Sequence, residues 1–496
     1  MDIELFKKRL YILYVLLPLI AIGIFCLRYN QNIFNYFLPN SQWNDEVIYY
    51  KTIEGITEYG IPQGYFGYNE SRASIGTFGA WSPIIYMFDA IWGGVFGWNL
   101  YSPIIVRIVF ACIGMLIYAA LVRPNVRNSL FIWLFVISFS LYARYLSSQM
   151  ADCYMVTLLV IYAGLYNRKE KKYKMAGRIV LVLLTLLRPY YVLLWLPVLD
   201  SSENEKYIIR DIIIAGGSLA GYFAISYYFT ASYFTSLIKF DWLKLILESP
   251  SEGISNFFGI LYEAAKVIGS SITSAFVDDG NDVGLQYFLY LILTLCFLFM
   301  SLMHKEKRKG WLCWLVVNIM FCLTIVLFYD VRVGSRHLMP FIIMEGFIIL
   351  GQNKGYYIKS LFVVLVFYLC LMKFTDPYFT TYPSGNEILQ AQISEMRNEL
   401  ADKIEIDETD RWNNTVIWVL SDTDGAYPWQ TLYSLPAGMG ISICSYDYVT
   451  SEFGSLRSKY IACTANGDVD RLCRLNGYLS IYSMEDSNVC VYMRQK

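Results

Sequence analysis

The chain has 496 residues, of which 56% are hydrophobic, 17% aromatic and only 16% charged. Water-soluble domains carry about 25% charged residues, so this deficit excludes an ordinary soluble enzyme and indicates an integral membrane protein. The 40 basic and 41 acidic side chains nearly cancel and form no basic face, which excludes a nucleic-acid ligand.

The first apolar stretch, 10–27, reads as an uncleaved signal-anchor, because no small-residue cleavage pattern follows it. A loop over 28–102 comes next, opening with Trp43-Asn44-Asp45-Glu46. Helical patterning follows the acidic pair (Val47, Ile48, Tyr49, Tyr50, then Ile53 and Ile56), and Gly60-Ile61-Pro62, Gly64 and Gly67 punctuate the rest. Further apolar stretches lie at 103–122, 129–143 and 153–166. Two short ones, 176–187 and 190–199, are joined by Leu187-Arg188-Pro189 and read either as a re-entrant pair or as two spans. A span at 212–229 leads to a second long loop, 230–284, with amphipathic patterning around Phe240-Asp241-Trp242-Leu243 and an acidic cluster, 278–282. Short interfacial helices are expected there. The stretches 285–303, 311–328, 338–351 and 357–372 complete a membrane domain over 1–373 with about eleven crossings, ten or twelve also fitting the pattern.

Residues 374–496 read as a small α/β domain of their own. A polar helix is expected over Asn386–Asp402, and strands over 415–420, 460–463, 478–482 and 489–492. Basic residues set the orientation. Lys7, Lys8 and Arg9, the group from Arg168 to Arg178, and Lys305 to Lys309 fall on one side, whereas the loop 28–102 holds only Arg28, Lys51 and Arg72. The expectation is a plasma-membrane protein with a cytoplasmic N-terminus and with 28–102, 230–284 and the C-terminal domain outside. Seven cysteines lie in or beside apolar stretches; Cys444, Cys463, Cys473 and Cys490 lie in the outer domain, where one or two disulfides and free thiols are both open.

Four outer-face groups carry candidate chemistry. Asp45-Glu46 is placed either to take a proton from a hydroxyl or to cap the helix that follows. Asp152, in Ser147-Ser148-Gln149-Met150-Ala151-Asp152, begins an apolar run and is either a cap or a site residue facing a polar cavity. Arg188 either snorkels to headgroups or binds a phosphate. Arg332, Arg336 and His337, in Asp330-Val331-Arg332-Val333-Gly334-Ser335-Arg336-His337, reverse the local charge bias and point to anionic headgroups or to a lipid-linked phosphate. There is no phosphate-binding glycine loop, no dinucleotide fingerprint and no paired-histidine zinc motif. The sequence also shows no charged residue deep within a span and no internal repeat, both of which a transporter would favour.

In order and sidedness these segments resemble the GT-C superfamily of membrane glycosyltransferases, in particular the bacterial branch related to protein O-mannosyltransferases and aminoarabinose transferases. The likeness runs through Asp45-Glu46, Gly64-Tyr65-Phe66-Gly67-Tyr68, Trp81-Ser82-Pro83, Ser148-Gln149-Met150-Ala151-Asp152, Arg188-Pro189 and Arg336-His337-Leu338-Met339-Pro340, over about 15–345. The chain departs from the family pattern at Met150 and Asp152, where Glu and Arg are common. The resemblance implies transfer, with inversion, of a sugar from a polyprenyl-phosphate donor to a glycan, lipid or protein acceptor at the outer face. It implies Asp45 as general base with Glu46 orienting it or sharing the role, and Asp152 across the cavity. Arg188, Arg332, Arg336 and His337 would hold the donor phosphate, and Trp43, Tyr65, Tyr68 and Trp81 would stack on sugar rings. Family members differ on a divalent cation, and no ligand set here decides it. The rivals are a flippase of lipid-linked saccharides, a polysaccharide polymerase or ligase, and a sensory membrane protein.

Overall fold

The computed structural model describes residues 3–30, 44–62, 69–71, 78, 82–166, 168, 170–200, 205–230, 238–278, 280–303, 308–332, 335–375, 387–407, 412–420, 429–484 and 489–495. The side chains of 3–10, 44–45, 335–336, 387–392, 420, 429–431 and 484 lie outside that description.

Helix α1 (Ile3–Arg28) is followed by the more polar helix α2 (Asn44–Tyr59). A 3-10 turn over Pro83–Tyr86, capped by the Ser82 hydroxyl, feeds α3 (Met87–Phe96). Then come α4 (Ser102–Val122), α5 (Val126–Ser138), α6 (Ser140–Leu146) and α7 (Asp152–Tyr166). α8 (Lys171–Leu187) stops at Arg188, whose extended backbone (φ −145°, ψ 126°) is what the following proline demands. A 3-10 segment, Pro189–Trp195, runs into α9 (Leu196–Asp200), and α10 (Glu205–Phe229) follows. The outer segment forms α11 (Asp241–Glu248) and α12 (Pro250–Ala275). α13 (Asp282–Met303), α14 (Arg308–Phe328), α15 (Ser335–Leu350) and α16 (Tyr356–Val366) close the bundle, the last continued by a π turn, Phe367–Lys373.

Every apolar stretch read from the sequence is helical, but the count of eleven crossings is not supported. Among the described residues six helices are long and apolar enough to cross a membrane, or seven if α5 and α6, bent by 65° at their break, form one span. The difference has a physical reason. α7 and α15 have 15 and 16 residues, but most of their side chains are buried inside the bundle. A helix enclosed by protein has no need to match the hydrocarbon thickness. Close approach comes from small residues: a Cβ at Gly114 of α4 would sit 2.7 Å from Thr157 of α7, and one at Gly346 of α15 would sit 2.7 Å from the Phe135 ring of α5. The outer loop 230–284 also differs from expectation, because α12 is a helix of 26 residues. Asp282, in its acidic cluster, pairs with Arg144 of α6 at 2.7 Å.

Beyond the bundle, α17 (Glu387–Ala401) precedes a five-stranded sheet of β1 (Thr415–Leu420), β2 (Gly440–Ser445), β3 (Tyr460–Thr464), β4 (Leu479–Met484) and β5 (Val489–Met493), in the order β2-β1-β3-β5-β4. β1 pairs in parallel with β2 and β3, while β5 is antiparallel to β3 and β4. Four of these strands match the alternation in the sequence. β2 does not, because its Gly-Ile-Ser-Ile-Cys-Ser run follows Pro436-Ala437-Gly438 and reads as a turn region. α18 (Tyr446–Ser451) and α19 (Asp468–Leu475) cover one face of the sheet. The other face packs on α17 and on Val47, Ile48 and Tyr50 of α2. Cys444, Cys463, Cys473 and Cys490 are all buried, with Cys463 and Cys490 facing each other across β3 and β5 at 3.5 Å between sulfurs.

The first outer loop is also anchored to this domain. Asn69 donates its backbone N–H to the carbonyl of Ile443 on edge strand β2 (2.9 Å), and its side chain accepts from the Ser445 N–H (3.0 Å). The buried Glu70 carboxylate accepts from the backbone N–H groups of Arg457 (3.0 Å) and Ser458 (2.7 Å) and from the Ser458 hydroxyl. Both residues hold left-handed backbone (φ 50° and 51°), a cost of about 1–2 kcal/mol each that these bonds offset.

Candidate active site

Helix α2 begins at Asn44, so the acidic pair stands in its first turn, where the helix dipole favours negative charge. The side chains of Asn44 and Asp45 lie outside the described residues. Glu46 is fully buried, and its Oε1 accepts a 2.6 Å hydrogen bond from the backbone N–H of Gln149. With its nitrogen toward α2, the Gln149 side-chain amide donates to the Glu46 carbonyl (3.2 Å) and accepts from the Tyr50 N–H (2.9 Å). The segment Ser147–Ala151, between α6 and α7, thus grips the start of the acidic helix by backbone and side chain together.

That segment is held from the other side by Arg107 of α4. Its guanidinium donates to the carbonyls of Gln149 (2.8 Å) and Met150 (3.4 Å) and meets both carboxylate oxygens of Asp89 on α3 (3.2 and 3.1 Å). Tyr154 also donates to Asp89, and Arg107 lies over the Tyr154 ring at 4.9 Å. Arg107 and Asp89 are each at least 98% buried, so their charges depend on one another and on these carbonyls. The sequence reading passed over both residues. A charged residue five positions into an apolar run is the signal that would have found Arg107.

Asp152 is the first residue of α7 and is fully buried. It caps nothing: among the described residues neither carboxylate oxygen accepts a hydrogen bond. Its ionic partner is Arg188, 3.9 Å away and equally buried, too far for a hydrogen bond. The break at Pro189 that ends α8 directs Arg188 inward, so the snorkelling alternative does not apply to it. Tyrosines surround the pair. Arg188 lies near Tyr190, Tyr49 and Tyr329, and Tyr191 lies near both Asp152 and Arg188. Tyr190 bonds His337 Nδ1 at 3.1 Å, and the His337 ring packs beside Tyr329 at 5.2 Å.

The structure therefore brings together four residues singled out from the sequence: Glu46, Asp152, Arg188 and His337. They converge through the 147–151 segment and the aromatic cluster of Tyr49, Tyr190, Tyr191 and Tyr329. Arg332 is exposed, with its backbone N–H bonded to Asp330 Oδ1 (2.8 Å), and does not share the burial of His337. Arg336 lies in α15 with its side chain outside the described residues, and Trp43, Tyr65, Tyr68 and Trp81 lie outside them altogether.

Chemically, a buried carboxylate with two open oxygens beside a buried guanidinium is a site for a polar ligand that brings its own donors and an anionic group. Among the described residues no group of three or more His, Cys, Asp or Glu side chains is placed to hold a metal ion. A charged group does lie deep within a span, contrary to the sequence reading. Glu345 of α15 is buried and accepts from the Asn318 amide of α14 at 3.2 Å, and that amide also donates to Thr294 of α13 at 3.0 Å. It ties three helices together.

No protein-family model matches the chain, and no curated protein matches it in sequence. Among solved structures it is similar to the Archaeoglobus fulgidus oligosaccharyltransferase tethered with an acceptor peptide containing the NVT sequon, at 12% identity over 99% of this chain and 74% of that one, with a TM-score of 0.51. It is also similar to ArnT from Cupriavidus metallidurans bound to undecaprenyl phosphate, at 10% identity over 96% of this chain and 97% of that one, with a TM-score of 0.44. The first of these likenesses shows that the chain shares the fold of that oligosaccharyltransferase.

Proposed function

We propose that the chain is a membrane glycosyltransferase that moves a sugar from a polyprenyl-phosphate donor to a hydroxyl of a cell-envelope glycan, lipid or protein, with inversion, at the outer face. The observation that carries this reading is the buried Asp152–Arg188 pair, whose carboxylate oxygens accept no hydrogen bond among the described residues, one short segment from the Glu46 carboxylate. In this reading the N-terminus is cytoplasmic and the C-terminal domain extracytoplasmic, with membrane lipids around the bundle. A prenyl chain stays in lipid, so its phosphate is presented where the spans end, beside Arg188 and His337.

The step is an in-line displacement at the anomeric carbon. The acceptor oxygen forms the new bond while the bond to the phosphate oxygen breaks, and its electron pair leaves with the phosphate. Arg188, fixed and desolvated, stabilises that developing charge, and Arg332, Arg336 and His337 are assigned to the same phosphate. Asp45 takes the acceptor proton, Glu46 orients it through the Gln149 bond, and Asp152 accepts from sugar or acceptor hydroxyls. Trp43, Tyr65, Tyr68 and Trp81 are assigned to ring stacking on the sugar.

The fold likeness and the clustering of the candidate residues favour this reading over a flippase, since Glu345 is engaged by the Asn318 amide. The test is transfer of radiolabelled sugar from a polyprenyl-phospho-sugar by purified protein in nanodiscs. Asp45→Asn is expected to abolish transfer while the protein still inserts and elutes as wild type. Near-normal turnover by that variant would sink the assignment of the base.

A further inference from the structure

Helix α2 is clasped between two cores. Tyr49 and Ile53 pack into the membrane bundle, while Val47, Ile48 and Tyr50 belong to the core of the C-terminal domain. Its polar residues are also engaged from outside. The buried Lys51 donates to the carbonyl of Leu435 in the C-terminal domain and pairs with Glu54. Glu54 is paired in turn with Arg397 of α17, which also reaches the Tyr50 hydroxyl at 3.5 Å. Burial pulls the Lys51 ammonium below its usual range, opposed by the Glu54 carboxylate, so the cluster holds together only while all three partners are in place. At the other end of the same helix, Glu46 meets the Gln149 N–H. One rigid helix therefore carries a latch to the C-terminal domain and, two turns away, the carboxylate that enters the site.

We infer that the C-terminal domain is a positioning element of the transfer site, with Arg397 and Glu54 as the latch that sets α2 where Glu46 engages the 147–151 segment. The catalytic consequence rests on the function proposed above; the mechanical one does not. Arg397 touches no reacting group, and its effect passes through helix position alone. Loss of the latch should lower turnover without weakening donor binding, because the Asp152–Arg188 pair lies on α7 and at the end of α8.

The experiment uses full-length protein in nanodiscs and compares Arg397→Ala, Arg397→Lys and wild type by hydrogen–deuterium exchange and by donor-dependent kinetics. Arg397→Ala is expected to speed exchange over 44–59 and, at a distance, over 147–151. Its kcat should fall at least about tenfold, with the donor KM within about twofold, as expected when a reacting group is displaced by about an ångström. Arg397→Lys should recover most of both readouts. Exchange that rises only around 387–407, or an unchanged kcat in an active wild-type background, overturns the inference. If wild-type protein transfers nothing from the donor, the proposed function fails, and the exchange at 147–151 still decides whether the latch acts. Should Arg397→Ala not insert, Glu70→Gln, which places an amide against the N–H donors of Arg457 and Ser458, loosens the domain from the first outer loop and is judged by the same exchange criterion.

Discussion

Asp89 and Asp152 are both buried carboxylates, and both lie beside the segment that joins α6 to α7. Asp89 receives two bonds from Arg107 and one from Tyr154, whereas among the described residues Asp152 has only a guanidinium at 3.9 Å. A protein that only needed to bury Asp152 would have supplied donors for it, as it did for Asp89. The contrast separates a carboxylate that holds the architecture from one held ready for something that arrives later.

Substitution can break this contrast, and the largest effect should fall at Asp152. Asp152→Asn is expected to cut transfer by about a thousandfold or more. Its thermal transition should fall less than that of Asp89→Asn, because the 3.9 Å pair gives up no hydrogen bond when the charge is removed. Asp89→Asn should cost about 3 kcal/mol by stranding Arg107, seen as a lowered transition and poor recovery. A stable Asp89→Asn together with an unstable Asp152→Asn would dissolve the distinction. Arg188→Lys keeps the charge but loses the planar fork, and a rise of about tenfold in donor KM is expected. Tyr190→Phe removes one neutral hydrogen bond to His337 and should lower kcat/KM by about fivefold, or about 1 kcal/mol. The smallest effect concerns Cys444 in the C-terminal domain, whose thiol burial pushes up to about 11. Maleimide labelling of that site should be slow at pH 8 in folded protein and should quicken as pH rises or on unfolding.

Much of the membrane architecture was legible because hydrocarbon imposes a long, one-sided demand on composition that single residues cannot disguise. The central helices α7 and α15 show the limit, since enclosure by other helices frees them from the length rule that counting relies on. Within the site, Glu46, Asp152, Arg188 and His337 were readable as polar residues at the ends of apolar runs. Arg107, Asp89 and the tyrosines at 49, 190, 191 and 329 were not, because their roles come from tertiary neighbours, and tyrosine is everywhere in this chain (42 residues). β2 escaped for a related reason: its strand character is conferred by β1 alongside it and by Asn69 on its edge.

The anchoring of residues 69–70 has a consequence for how the chain is made. Glu70 meets Arg457 387 positions later, and Lys51 meets Leu435 384 positions later. During synthesis the acidic helix emerges early, yet the apolar side chains and ionic partners that complete its surroundings come last. Until then Val47, Ile48 and Tyr50 have no core to enter. Closing so long a loop is slow but costs little extra free energy, because the entropy penalty grows only with the logarithm of length. A chain interrupted between the last bundle helix and β3 would keep its apolar helices but lack the partners that hold the acidic helix and residues 69–70.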